Sequence, residues 1–85
     1  MTWDLRIGPS VPKRLKKFPR SDSERILKAL ESMSDNPYMG DVRKMEGAEN
    51  RWRKRVGSYR ILFEIFSNEK VILVVAVKRR TSKTY

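Results

Sequence analysis

The segments 51–56 and 59–66 alternate between charged and apolar positions except at Lys54, Leu62 and Phe66, and Gly57-Ser58 divides them. A period of two is typical of a β-strand whose two faces differ, and Gly-Ser between two such runs predicts a two-residue hairpin turn. With this turn, Val56 pairs with Tyr59 and Arg55 pairs with Arg60. The predicted faces are then Arg51, Arg53, Arg55 and Arg60 on one side, and Trp52, Val56, Tyr59, Ile61 and Phe63 on the other. A chain with this hairpin must cover the apolar face with its own core.

The N-terminal region predicts part of that cover. Thr2 to Ile7 alternates in hydrophobicity and predicts a half-buried strand that Gly8-Pro9 ends. A first helix is predicted to begin at a Ser10 cap and to stop at Pro19. Its apolar stripe is Val11, Leu15 and Phe18.

A second, longer helix is predicted after Pro19. Ser21-Asp22-Ser23-Glu24 has the spacing of a capping box, and Asn36-Pro37 closes the helix. The predicted core side comprises Ile26, Leu27, Leu30 and Met33. Because the connection to the first helix is short, we expect an antiparallel helical hairpin.

The remaining segments predict strands. A short strand is expected over 42–45 and a final strand over 70–78, with Ser67-Asn68-Glu69 as the turn before it. The continuously apolar run 71–77 predicts an interior position in the sheet. The expected fold is therefore α+β: an N-terminal strand, a helical hairpin, then an antiparallel meander forming a four- to five-stranded sheet with the helices on one face. Residues 1–85 are expected to form one domain.

Composition narrows the chemistry. The absence of cysteine and histidine excludes thiol nucleophiles, disulfides, zinc fingers and imidazole acid–base catalysis, and we expect neither metal nor cofactor. No signal sequence or membrane span is evident, so a soluble cytoplasmic protein without a membrane partner is expected. The formal net charge is +10, with 10 basic and 2 acidic residues in 51–85.

A polyanionic partner is the usual physical reason for such a charge. Arginines that face each other across strands repel, and their planar guanidinium groups suit phosphate oxygens and stack on bases. The arginine face therefore predicts a nucleic-acid interface that Arg79, Arg80 and Lys83 extend. The alternative is a basic face that only maintains solubility or binds an acidic protein.

Several segments together resemble one protein family. The run 53–65, RKRVGSYRILFEI, looks like the "R-V-G-x-Y-R-hydrophobic" strand pair of the RelE/ParE toxin superfamily. Lys44-Met45-Glu46-Gly47 is similar to its "K-L-x-G" strand end, and Val77-Lys78-Arg79 with Tyr85 resembles its closing strand and terminal tyrosine. The order of elements matches as well, so the resemblance covers essentially the whole chain.

The RelE-like branch implies a toxin that cuts messenger RNA in the ribosomal A site without a metal. By resemblance, Arg60 would stabilise the scissile phosphate, Arg79 would be the acid or its positioning partner, and Tyr85 would stack on a base. Arg53 and Arg55 would take the places of two family lysines, with Arg51 and Arg53 as the alternative assignment. The predicted catalytic residues are Arg53, Arg55, Arg60, Arg79 and Tyr85, and the predicted RNA-binding residues are Arg51, Lys54, Lys78, Arg80 and Lys83. A cognate antitoxin, the ribosome and messenger RNA are the implied partners.

The family lysines are arginines here, and an arginine is a poor proton acceptor. Lys54 is the acceptor only if the strand is bulged, because simple alternation turns it away from the arginines. Two other functions stay open: a ParE-like toxin that inhibits DNA gyrase by binding protein, and a non-catalytic RNA-binding module.

Overall fold

The computed structural model describes residues 3–47 and 50–79. The elements in chain order are β1 (Asp4–Ile7), α1 (Ser10–Leu15), α2 (Arg20–Asp35), β2 (Val42–Lys44), β3 (Arg51–Val56), β4 (Tyr59–Phe66) and β5 (Val71–Arg79). The strands form one five-stranded sheet in the order β1-β5-β4-β3-β2. This confirms the predicted α+β class and the interior position of the apolar run in β5.

The sheet is mixed rather than wholly antiparallel. β1 runs parallel to β5, whereas the β2–β3, β3–β4 and β4–β5 pairs are antiparallel. The parallel pair follows from the chain path, because the two helices carry the chain from β1 across one face of the sheet before the meander begins.

The core lies between the helices and one face of the sheet, here called the covered face. Its helical members are Val11, Ile26, Leu30 and Met33, and its sheet members are Tyr59, Ile61, Phe63, Ile65, Ile72, Val74 and Val77. Trp3 and Trp52 pack partly buried against this cluster. The opposite side of the sheet is called the open face.

Three predictions about the helices were wrong. Ser10 is not a cap; it is the first residue of α1, and its hydroxyl lies 3.4 Å from the Val75 carbonyl. α1 ends at Leu15, well before Pro19. Leu27 is 47% exposed, because it lies about 100° around the helix from Ile26.

The capping box does not form either. α2 begins at Arg20 directly after Pro19, so Ser21 lies inside the first turn and makes no cap. The hydroxyl of Ser23 instead donates to the Leu15 carbonyl at 2.6 Å, which ties the start of α2 to the end of α1. Glu24 forms an exposed ion pair with Arg20 at 3.4 Å.

Candidate nucleic-acid interface

The β3–β4 hairpin sets the register of the basic residues. Gly57 has φ of +59°, the positive value that a type II′ turn requires of its first central residue, and Val56 pairs with Tyr59. Arg55 consequently lies opposite Arg60, and Arg53 lies opposite Leu62. The predicted sharing of the open face by Arg51, Arg53, Arg55 and Arg60 is confirmed.

Arg51 is already partnered by the protein. Its Nη2 donates to Glu64 Oε2 at 2.9 Å and its Nε to the same oxygen at 3.3 Å. These two residues are directly opposite each other on β3 and β4. The charge of Arg51 is therefore largely satisfied within the sheet.

Arg53 is held less closely. Its side chain is 16% exposed, and its Nη1 lies 3.8 Å from Asp41 Oδ1, an ion-pair contact without a hydrogen bond. Burial lowers the pKa of Arg53, and the positive charge of Arg55 lowers it further, while Asp41 acts in the opposite direction. The guanidinium is thus a partly desolvated cation that gains from an additional anion.

Three arginines present buried nitrogens without an acceptor among the described residues: Arg53 Nη1, Arg55 Nε and Arg60 Nε. These residues, Arg53, Arg55 and Arg60, are called the arginine cluster. A buried donor without an acceptor costs free energy, about 1–3 kcal/mol and more when it is charged. A phosphate on the open face would bind these half-buried guanidinium groups and offset the cost of their burial, so the cluster has the chemistry of a phosphate site.

The end of β5 depends on a break in the β4–β5 register. Leu62 pairs with Ala76 but Phe63 pairs with Val74, which leaves Val75 as an extra residue. The Gly8 amide donates to the Val74 carbonyl at 2.8 Å, and a Cβ at Gly8 would lie only 3.1 Å from that oxygen. The bulge therefore packs directly against the start of α1.

The bulge reverses which β5 residues face the arginine cluster. Lys78 pairs with Arg60 on the open face, and Arg79 pairs with Tyr59 on the covered face. The Arg79 guanidinium lies 6.0 Å from the centre of the Tyr59 ring. Lys78 thus joins the predicted interface, whereas Arg79 lies on the other side of the sheet from Arg60.

Lys54 does not belong to the interface. It lies on the covered face, is 8% exposed, and its Nζ donates to the Met39 carbonyl at 3.0 Å. Burial lowers its pKa. The β3–β4 register is regular here, so the bulge that would turn Lys54 toward the arginines is absent and its predicted RNA-binding role does not fit. Arg80, Lys83 and Tyr85 lie outside the described residues.

Sequence reasoning missed two residues of the open face. Arg43 on β2 lies opposite Arg53, and Asp41 lies beside Arg55, whose amide donates to the Asp41 carbonyl at 3.0 Å. The contact between Asp41 and Arg53 places the carboxylate on the open face. No local pattern reveals either residue, because the connection from Lys44 to Arg51 is longer than a two-residue turn and does not by itself fix the register of β2 with β3.

The interface is suited to binding and stabilising negative charge. Within residues 3–47 and 50–79, no group of three acidic or histidine side chains is arranged to hold a metal ion. No helix in those ranges is long and apolar enough to cross a membrane. Cationic hydrogen-bond donors that are fixed in place before a substrate arrives stabilise the charge that develops at a phosphate during cleavage.

Known proteins show the same fold. The profile of the family described as the ParE toxin of the type II toxin–antitoxin system parDE matches residues 5–83. The chain therefore belongs to this family and, with it, to the RelE/ParE superfamily of type II toxins.

Individual relatives agree with this assignment. A Methanocaldococcus jannaschii protein named as a RelE1 toxin is 24% identical over 83 residues, covering 94% of this chain and 92% of that protein. RelE in the RelE–RelB complex of Pyrococcus horikoshii superposes with a TM-score of 0.84 at 28% identity, covering 98% of this chain and 100% of that one. Isolated Escherichia coli RelE gives a TM-score of 0.79 at 17% identity, covering 95% and 87%, which shows the fold alone.

Proposed function

We propose that this toxin is a ribosome-dependent, metal-independent endoribonuclease that cleaves messenger RNA in the ribosomal A site in the cytoplasm. The observation that supports it is the arginine cluster, in which three neighbouring arginines of the open face present buried nitrogens without an acceptor. Cleavage proceeds by attack of a ribose 2′-hydroxyl on the adjacent phosphate, leaving a 2′,3′-cyclic phosphate and a 5′-hydroxyl.

In this function the arginine cluster binds and polarises the scissile phosphate. Arg60 lies on β4, between β3 and β5. Arg55 on β3 lies opposite it on one side, and Lys78 on β5 lies opposite it on the other. A phosphate above Arg60 is therefore within reach of two further cations, which favours the dianionic phosphorane-like state over the ground state. Arg51 contributes less because Glu64 neutralises it.

For the two remaining residues we propose the roles that the family resemblance implies. Arg79 is the acid or its positioning partner, and Tyr85 stacks on a base. The position of Arg79 over the Tyr59 ring favours a positioning role, in which it orders the end of β5. The hydroxyl of Tyr59 donates to Asp22 at 2.7 Å, so the ring under Arg79 is itself fixed to α2.

A cognate antitoxin is the proposed protein partner. The matching Pyrococcus horikoshii RelE was solved as a complex with RelB. On this chain the open face combines the arginine cluster with an apolar hollow of about 340 Å³ lined by Arg6, Phe66, Glu69, Val71 and Leu73. An antitoxin segment with apolar residues for the hollow and acidic residues for the arginines would cover the hollow and the arginine cluster and would inhibit the toxin.

A ParE-like action on DNA gyrase is the second candidate, because the family whose profile matches is that of ParE toxins. Such a toxin works by binding protein and has no need of unsatisfied arginines beside one another. The arginine cluster therefore favours cleavage of RNA over binding to gyrase.

The deciding experiment is primer extension on a defined messenger in a reconstituted translation reaction. We expect new 5′ ends in the ribosomal A site with wild-type toxin and none without ribosomes or with Arg60→Ala. An Arg20→Ala variant, which removes an exposed arginine at the start of α2, is the matched control. An intact messenger at toxin concentrations equal to the ribosomes would contradict the proposal, and inhibition of gyrase supercoiling by the same preparation would establish the second candidate.

A further inference from the structure

Four charged residues form a cross-strand row over the open face. Its order is Asp41, Arg55, Arg60 and Lys78: the Asp41 carbonyl accepts from the Arg55 amide, Arg55 pairs with Arg60, and Arg60 pairs with Lys78. Directly opposite residues of neighbouring strands lie about 5 Å apart. The row therefore has a carboxylate at one end, an ammonium group at the other, and two guanidinium groups between them.

The charged side chains at the two ends of the row, Asp41 and Lys78, are available to a ligand, whereas other charged residues nearby are paired with each other. The Asp41 side chain is 53% exposed, and its approach to Arg53 at 3.8 Å includes no hydrogen bond. Lys78 is exposed at the end of β5. Glu64, another carboxylate of this face, is held in two hydrogen bonds by Arg51.

This order matches what cleavage of RNA needs. The attacking 2′-oxygen and the leaving 5′-oxygen lie on opposite sides of phosphorus, so a proton acceptor and a proton donor belong on opposite sides of the groups that bind the phosphate. At neutral pH a carboxylate side chain is already deprotonated and can accept a proton, and an ammonium group is already protonated and can donate one. The arginines between them cannot perform either step efficiently.

We propose that Asp41 accepts the proton of the attacking 2′-hydroxyl and that Lys78 donates a proton to the departing 5′-oxygen. This inference rests on the endoribonuclease function proposed above. The 2′-oxygen forms a bond to phosphorus while its proton passes to the Asp41 carboxylate. The bond from phosphorus to the 5′-oxygen breaks, and the Lys78 proton completes the 5′-hydroxyl. Solvent then takes the proton from Asp41 and returns one to Lys78, so no water is consumed and no redox partner is needed.

The test is single-turnover cleavage of messenger RNA on programmed ribosomes by the full-length protein. We expect Asp41→Asn and Lys78→Ala each to lower the cleavage rate about 100-fold or more, with half-saturating concentrations within a few-fold of wild type. Asp35→Asn at the end of α2 and Lys13→Ala on α1 are the matched controls, and circular dichroism checks that every variant is folded.

A substrate with sulfur in place of the bridging 5′-oxygen separates the two roles, because a thiolate leaves without being protonated. Lys78→Ala is expected to cleave this substrate at a rate close to wild type, whereas Asp41→Asn remains slow. Lys78→Arg is expected to stay slow on the natural substrate, since it keeps the charge but donates a proton poorly.

Several outcomes would overturn the assignment. Full activity of Lys78→Arg would reduce Lys78 to an electrostatic role, and an Asp41→Asn defect confined to the half-saturating concentration would make Asp41 a positioning residue for Arg53. Loss of cleavage in Glu64→Gln but not in Asp41→Asn would transfer the acceptor role to Glu64. Cleavage by wild type with both variants within threefold of it would refute this inference alone, whereas a wild-type toxin that never cleaves would refute the proposed function and this inference together.

Discussion

The two faces of the sheet treat their basic residues in opposite ways. On the covered face, Lys54 donates to the Met39 carbonyl, and Arg79 lies over the Tyr59 ring. On the open face, the arginine cluster has buried nitrogens with no acceptor within the described ranges. The fold thus satisfies Lys54 and Arg79 on the covered face. On the open face it satisfies Arg51 through Glu64 but leaves the arginine cluster for a partner. Successive side chains of β3 point to opposite faces of the sheet, so neighbouring residues of this one strand differ in whether the protein satisfies their charge.

The largest effect is expected when Arg60, the central residue of the arginine cluster, is replaced. Arg60→Ala should lower single-turnover cleavage about 100-fold or more, because it removes the cation that lies between Arg55 and Lys78. It should also abolish growth arrest on expression while the circular dichroism spectrum stays native. Arg51→Ala, which removes an arginine that Glu64 already neutralises, is the comparison and should cost less than tenfold. Growth arrest by Arg60→Ala as strong as that of wild type would refute the role of the cluster.

The adjacent residues Arg53 and Lys54 give the most direct comparison of the faces. Arg53→Met should weaken binding to a 2′-O-methylated single-stranded RNA about tenfold and reduce the slope of log affinity against log salt by about 0.7, the loss of one phosphate contact. Lys54→Met should change neither quantity, because its side chain is buried on the covered face. Fluorescence anisotropy at four salt concentrations measures both. Equal losses in the two variants would mean that RNA does not distinguish the faces.

Lys54→Met also carries a prediction for stability. Burial lowers the pKa of Lys54, so its charged form is disfavoured in the folded protein and wild type gains stability as the pH rises toward the ordinary lysine value of about 10.5. The variant should therefore be at least as stable as wild type at pH 7, with its relative advantage shrinking toward pH 10.5. Urea unfolding at pH 7 and pH 10 provides the measurement. A variant whose disadvantage is greatest at pH 7 would show that the bond to Met39 outweighs the burial of charge.

These comparisons mark where sequence reasoning succeeds. The faces of β3 and β4 follow from alternation because a two-residue turn fixes their register locally, which placed Arg53, Arg55 and Arg60 together. β5 is different: the extra residue Val75 reverses the positions of Lys78 and Arg79, and its neighbours are Gly8 and Ser10, more than 60 positions away in the chain. A bulge set by such a distant contact leaves no pattern in the strand itself.

The predicted N-terminus of α2 was wrong for a related reason. Ser21 and Glu24 have the spacing of a capping box, but the extended Pro19 takes the N-cap position and α2 begins two residues earlier than a Ser21 cap requires. The Ser23 hydroxyl binds the end of α1 instead. Asp41 was not predicted, because the connection between β2 and β3 is longer than a two-residue turn and does not by itself fix their register. Tertiary contacts thus decide both the caps and the ends of the cross-strand row.

A smaller effect is expected from releasing Arg51. Glu64→Gln removes the carboxylate that holds Arg51 at 2.9 Å, and the freed guanidinium joins the arginine cluster. Affinity for the 2′-O-methylated RNA should rise a few-fold at low salt, with a steeper dependence on salt. Anisotropy titrations at 50 and 200 mM salt measure this, with Glu69→Gln as the control for loss of a carboxylate. An unchanged salt dependence would mean that Arg51 lies beyond the path of the RNA.

The smallest effect concerns the support of the covered face. Tyr59 is 3% exposed, and its hydrogen bond to Asp22, together with burial, raises its pKa above the ordinary value of about 10. Since the folded pKa is raised, the neutral phenol contributes stability that is fully present below about pH 10 and is lost as the pH rises through the folded value. Tyr59→Phe should therefore lower the midpoint of thermal unfolding modestly at pH 8 and make it less sensitive to pH between 9 and 11, whereas Tyr38→Phe, on a half-exposed ring, should not. If wild type and Tyr59→Phe lose stability in parallel above pH 9, the bond to Asp22 does not govern the alkaline limit of the fold, and Arg79 is held over the ring by packing alone.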